Sequence, residues 1–132
     1  MDVKAKINEI ISGMSTEEKV GQLFLAHCPT GEPAVEKTKK YQFGGFVMFA
    51  RDFETFSPDE VRSMIGSYQD VSKIPMIIST DEEGGGVLRV SKFPQFGEQP
   101  FKSPSDLFNT EGWDEAAQET YKAFTKTPVV LP

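Results

Sequence analysis

Thiol and imidazole groups are nearly missing from this chain: among 132 residues there is one cysteine and one histidine, adjacent at Cys28 and His27. A single thiol cannot close an internal disulfide, and a single imidazole cannot build a histidine-rich metal site. Both residues are expected to pack near the end of a strand. No apolar run approaches the roughly 20 residues of a membrane-spanning helix, and Met1 to Lys6 leads into an amphipathic stretch rather than the uninterrupted apolar segment of a signal peptide. The expectation is therefore no membrane and a cytoplasmic setting. A surplus of basic charge is lacking too, since 14 Lys and Arg stand against 20 Asp and Glu, for a formal net charge of -6. Phosphate backbones demand a basic face, and the small cluster Lys37, Lys39 and Lys40 lies beside acidic residues on what reads as a solvated helix. No nucleic-acid partner is expected.

What is present belongs to a soluble globular protein: 38% apolar and 26% charged residues, in a length that suits one domain burying roughly two-thirds of its unfolded surface. Val3, Ile7, Ile10, Ile11 and Met14 recur at helical spacing and predict a helix over residues 2–13, ended by Gly13. Ser15 and Glu18 form a capping-box pattern that starts a short second helix. The continuous apolar run Leu23 to Ala26 suits a strand buried on both faces. Pro33 to Tyr41, rich in Lys and Glu, reads as a surface helix, and Phe46 to Ala50 as the second strand. Ser57, Pro58 and Glu60 open another helix, continued by Val61, Met64, Ile65 and Tyr68. Ile74-Pro75 breaks it, and Met76 to Thr80 makes a third strand. Residues 84–105 have the Gly, Pro and lone-aromatic composition of a long loop. A last helix should carry Trp113, Ala116, Ala117, Thr120 and Phe124 on one face, before Pro128 and a terminal Val129 to Leu131.

Strands recurring every 20 to 30 residues with helices between them should pair in parallel through right-handed crossovers. Such βα repeats build either an open doubly wound sheet or a closed eight-stranded barrel, and a whole barrel needs roughly 250 residues. This length holds about three βα units, with room for the stub of a fourth strand. In both architectures the residues just past the C-terminal strand ends face the ligand. Asp81-Glu82-Glu83-Gly84-Gly85-Gly86 sits there. Asp81 and Glu83 should point to one side of an extended backbone and Glu82 to the other. Three adjacent carboxylates need solvation, hydrogen bonds or a cation, for which Arg89 is a natural partner. The segment is open to several readings: a solvated turn, a hard-cation site of Mg²⁺ or Ca²⁺ type, or a phosphate loop, which the lack of a following Gly-Lys-Ser/Thr disfavours.

The run Ile74-Pro75-Met76-Ile77-Ile78-Ser79-Thr80-Asp81-Glu82-Glu83-Gly84-Gly85, continued by Val87 and Arg89, resembles the third strand of glycoside hydrolase family 3, in particular its β-N-acetylglucosaminidase branch. Met14 to Leu23 and Gly44 to Arg51 match weakly in the expected order, as does Pro104-Ser105, so the resemblance spans about residues 13–126. It implies an α/β fold, a partial (β/α)8 TIM-type barrel. It also implies a single incomplete domain that binds an N-acetylglucosamine- or glucose-type sugar and needs no cofactor and no metal. Asp81 matches the family's acceptor of sugar hydroxyls in the outermost subsite. Arg89 matches a basic position after the turn, where it would either meet the sugar or brace Asp81. Gly84 and Gly85 would supply the turn geometry. Gly86 departs from the family, where an Arg or other larger side chain is common.

A retaining glycosidase needs a nucleophilic carboxylate and an acid/base group on opposite sides of the scissile bond. The resemblance places both downstream of the matched region: a His assisted by an Asp after a Lys-His motif, and an Asp near the seventh strand. His27 precedes the match and cannot fill that role, and Asp81 and Glu83 would share one side of a sugar. The leading expectation is a truncated family 3 hydrolase that retains a sugar-binding Asp and is inactive alone. The alternatives are a non-catalytic carbohydrate-binding or assembly module, and a metal-dependent enzyme of other chemistry. A three-strand sheet cut from a barrel exposes two edges and an apolar face, so a homo-oligomer or a complementing polypeptide is expected as well.

Overall fold

The computed structural model describes residues 2–29, 32–97, 100–111, 114, 117 and 118. Three short strands, β1 (Leu25–His27), β2 (Gly45–Met48) and β3 (Ile77–Thr80), form one sheet in the order β1-β2-β3, with both pairs parallel. Helix α3 (Glu32–Tyr41) connects the first pair and α4 (Pro58–Gln69) the second, while α1 (Val3–Gly13) and α2 (Thr16–Gly21) precede the sheet and α5 (Pro104–Glu111) follows it. This is an α/β fold of sequential βα units, as the strand spacing predicts, and it is consistent with the partial TIM-type barrel that the resemblance implies.

The register explains which face is covered. Leu25, Gly45 and Ile77 lie side by side, as do Ala26, Phe46 and Ile78, and then His27, Val47 and Ser79. Because side chains alternate, Ala26, Phe46, Met48 and Ile78 share one face, and that face holds the core. Ala34 and Thr38 of α3 and Val61, Ile65 and Tyr68 of α4 are buried there. The Phe46 ring meets the edge of Tyr68 at 5.4 Å between centroids, and the Cys28 thiol lies 3.8 Å from the Tyr68 hydroxyl. On the opposite face Leu25 and Ile77 are 47% and 65% exposed. Gly45 between them leaves no room for a side chain, since a Cβ there would come within 2.1 Å of the Ile77 carbonyl oxygen.

Several expectations are corrected here. The first strand begins at Leu25, not Leu23, because the Leu23 and Phe24 amides donate to the Val20 and Gly21 carbonyls and wind the end of α2 into a turn. Only Ala26 of this strand is even partly covered, and Leu23 before it is 83% exposed. The second strand ends at Met48 because the buried Asp52 carboxylate accepts the Phe49 amide at 2.7 Å and turns the chain into a 3-10 turn over Ala50–Asp52. The first helix does end at Gly13 as expected, with Met14 as its extended cap. The apolar stripe of α1 is uncovered among the described residues, with Val3, Ile7, Ile10 and Ile11 exposed.

The capping predictions hold. Ser15 with Glu18 and Ser57 with Glu60 form reciprocal capping boxes, and Pro58 opens α4. The loop over 84–105 is less featureless than its composition suggests: it contains a 3-10 turn at Pro94–Phe96, and α5 begins inside its span at Pro104. The Gln95 amide donates to the carbonyls of Phe53, Glu54 and Phe56, and Phe96 packs edge-on against Phe53, so the loop is tied to the β2-α4 connection. Ala117 is helical. Trp113, Ala116, Thr120, Phe124 and the Val129 to Leu131 stub lie outside the described residues. Among the described residues no helix is long and apolar enough to cross a membrane.

Gln42 fastens the N-terminal end of the sheet. Its backbone adopts φ of 49°, a left-handed value rare outside glycine. Its buried side chain accepts the Lys73 amide at 2.8 Å and donates toward the carbonyls of Thr38, Lys39 and Val71. A cleft of about 240 Å³ beside it, lined by Glu9, Ile10, Met14, Glu18, Gln22 and Lys73, lies at this end of the strands. The ion pair between Lys73 and Glu18 crosses it.

Candidate functional site

At the C-terminal end of the sheet the register places chemistry-bearing residues together. Phe49 lies two residues past Val47, and Asp81 two past Ser79, so both extend the open-face row that includes His27. Burial alternates along the acidic turn as a strand continuation requires: Asp81 and Glu83 are exposed and Glu82 is buried. Asp81 makes no hydrogen bond or ion pair within the described residues, so both its oxygens are available to a ligand.

Glu82 resolves the crowding of three carboxylates in a way the sequence did not suggest. Its side chain accepts the backbone amides of Arg89 at 3.0 Å, Val90 at 2.8 Å and Ser91 at 3.3 Å, and the Ser91 hydroxyl donates to it as well. Amide donors, not a cation, hold this buried carboxylate. The turn between is tight. The Glu83 and Gly84 amides both donate to the Val87 carbonyl, and Gly84 and Gly85 have φ of 83° and 57°. A Cβ on Gly84 would come within 2.3 Å of the Lys102 carbonyl oxygen, so this position requires glycine for both space and angle.

Arg89 meets no carboxylate within 4.0 Å among the described residues. Its guanidinium lies over the Phe49 ring, 5.7 Å from the centroid. The buried Nε has no hydrogen-bond partner among the described residues. His27 packs against the same Phe49 ring at 4.7 Å, edge-on, and the Arg51 guanidinium reaches both its ring nitrogens, at 2.9 and 3.1 Å, and the Cys28 carbonyl at 3.0 Å. Of the adjacent pair read as packed at a strand end, Cys28 is buried and His27 is exposed on the open face. The cluster His27, Phe49 and Arg51 was missed in the sequence. Placing the strand ends in register and applying alternation would have found it. No group of three or more His, Cys, Asp or Glu side chains among the described residues is arranged to hold a metal ion.

The rim therefore combines exposed acceptors at Asp81 and Glu83, guanidinium groups at Arg51 and Arg89, and the rings of His27 and Phe49, at the C-terminal end of a parallel sheet. Residues 15–122 match the glycosyl hydrolase family 3 N terminal domain, and the chain belongs to that family. A β-hexosaminidase of Methylobacillus flagellatus is 33% identical over 100 residues, covering 66% of this chain and 28% of the relative. The fold is similar to that of a crystal structure of NagZ from Neisseria gonorrhoeae in complex with N-trifluoroacetyl-D-glucosamine. That likeness has a TM-score of 0.51 at 20% identity and covers 70% of this chain and 26% of that one. The chain thus spans less than a third of the length of each of these relatives.

Proposed function

We propose that this chain supplies the outer sugar-binding wall of a β-N-acetylglucosaminidase-type family 3 site and does not hydrolyse glycosides by itself. Asp81 accepts hydrogen bonds from hydroxyls of the terminal sugar, and Arg89, held over Phe49, lines the same wall. The observation that carries this reading is the position of Asp81: exposed, without an internal partner, and on the open-face row at the C-terminal end of β3. The similar gonococcal structure holds an N-acylated glucosamine, which supports an N-acetylglucosamine-type ligand. The reaction itself needs opposed carboxyl and acid groups. Asp81 and Glu83 share one side of the backbone, and Glu82 is occupied by amides, so the acidic residues of this turn do not provide that opposition.

Two measurements on the purified chain test the proposal. Titration with N-acetylglucosamine should show saturable binding that Asp81→Ala weakens about 10- to 100-fold, the worth of one or two charge-assisted hydrogen bonds, with the melting temperature unchanged. A chromogenic β-N-acetylglucosaminide should not be turned over. Binding unaffected by Asp81→Ala, or turnover abolished by it, would overturn the reading.

A further inference from the structure

We propose that Glu82 is a positioning residue of this site, the strut that sets Asp81 and Arg89 toward one ligand. This deepens the sugar-wall reading of the same turn and rests on it. Glu82 itself cannot touch a ligand: it is 7% exposed, and its two oxygens are divided between the Arg89 and Val90 amides on one side and the Ser91 amide and hydroxyl on the other. Those donors come from the returning limb of the loop, while the Glu82 backbone continues the outgoing limb from β3. One carboxylate therefore ties the two limbs together.

The consequences for the neighbours follow from geometry. With the Glu82 side chain drawn inward, alternation forces the adjacent Asp81 outward onto the open-face row. With the amides of residues 89–91 fixed, the Arg89 side chain starts from a defined backbone position and reaches the Phe49 ring at 5.7 Å. The Gly84 to Val87 turn closes the tip of the loop and Val90 packs into the core, while the hydrogen bonds that join the two limbs at the base are those of Glu82.

The test pairs amide hydrogen exchange with titration by N-acetylglucosamine, both well below the melting temperature, on the parent chain, Glu82→Ala and Glu82→Gln. In Glu82→Ala the amides of Arg89, Val90 and Ser91 should exchange at least about 10-fold faster while those of β2 stay protected, and sugar affinity should fall at least about 10-fold with Asp81 intact. Glu82→Gln keeps one carbonyl oxygen able to accept the Arg89 and Val90 amides but sets an NH₂ against the Ser91 amide. It should fall between the parent and Glu82→Ala in both readouts, and it decides the matter if Glu82→Ala does not fold. Unchanged protection in the variants overturns the strut. Lost protection with unchanged sugar affinity in the folded protein overturns its positioning role, since a purely structural role moves only the melting temperature. Absence of sugar binding by the parent refutes the proposed function instead, and the exchange result then judges the strut alone.

Discussion

Replacing Gln42 separates a side chain's hydrogen bonds from its backbone strain. Gln42→Ala deletes an oxygen that accepts the Lys73 amide and a nitrogen that reaches the carbonyls of Thr38, Lys39 and Val71. The NH₂ has two protons for three acceptors, so about three net bonds are lost, at about 1 kcal/mol each. The cost should be about 3 kcal/mol. Gln42→Gly loses the same bonds but removes the penalty of a Cβ at φ of 49°, about 1–2 kcal/mol, against a gain in unfolded-chain freedom of about 0.5–1 kcal/mol. Glycine should therefore be the milder change by about 0.5–1 kcal/mol, although it is the smaller and more flexible residue. Urea unfolding followed by far-UV circular dichroism, with unchanged denaturant slope, measures both differences. A loss under about 0.5 kcal/mol for Gln42→Ala would refute the fastening role assigned to the side chain. Glycine proving the worse variant would refute the backbone assignment.

Gly45→Ala should disrupt the pairing of β2 with β3, since its Cβ would meet the Ile77 carbonyl oxygen at 2.1 Å; a melting temperature equal to the parent's would contradict this. Acid should weaken the helix starts. The Glu18 carboxyl is held below its usual range by Lys73 and then the Ser15 amide, and that of Glu60 by the Ser57 amide and then its hydroxyl. A lowered folded value means stability present above the ordinary glutamate pKa, near 4.3, and lost as pH falls through the lowered one. The urea midpoint should drop between about pH 5 and 3, less steeply in a Glu18→Gln, Glu60→Gln double variant, and equal slopes would count against the assignment. The open sheet face should drive association, so light scattering at micromolar concentration should report a dimer or larger species that Leu25→Lys with Ile77→Lys shifts toward monomer. A monomeric parent would remove this expectation.

Much of the fold was legible because the deciding signals are local. Ser15 with Glu18 and Ser57 with Pro58 and Glu60 place two helix starts to the residue, since a cap needs only neighbours three positions away. The strand ends were less legible. Asp52 stops β2 through its side chain, and a carboxylate capping a single turn leaves no periodic trace. Leu23 looked like strand because hydrophobicity signals burial, whereas its exposure depends on what covers the open face, which no local pattern encodes. At the site, alternation set Asp81 and Glu83 on one side and Glu82 on the other, without saying which side is buried. The donors to Glu82 were hidden because they are main-chain amides, which every sequence contains and none advertises. His27 and Arg51 lie 24 positions apart, and only the parallel register brings them to one ring.

The tie made by Glu82 also bears on the order in which the chain folds. Its donors lie no more than nine positions away, while the pairing of β2 with β3 joins residues about thirty apart. A contact so close in sequence forms on the submicrosecond scale of short loop closure and carries little of the entropy that slows distant pairing. The turn can therefore take its shape before the sheet that will carry it. The fold of the Glu82 to Ser91 limbs is then set largely within the segment itself, while the seating of Arg89 on Phe49 waits for the sheet.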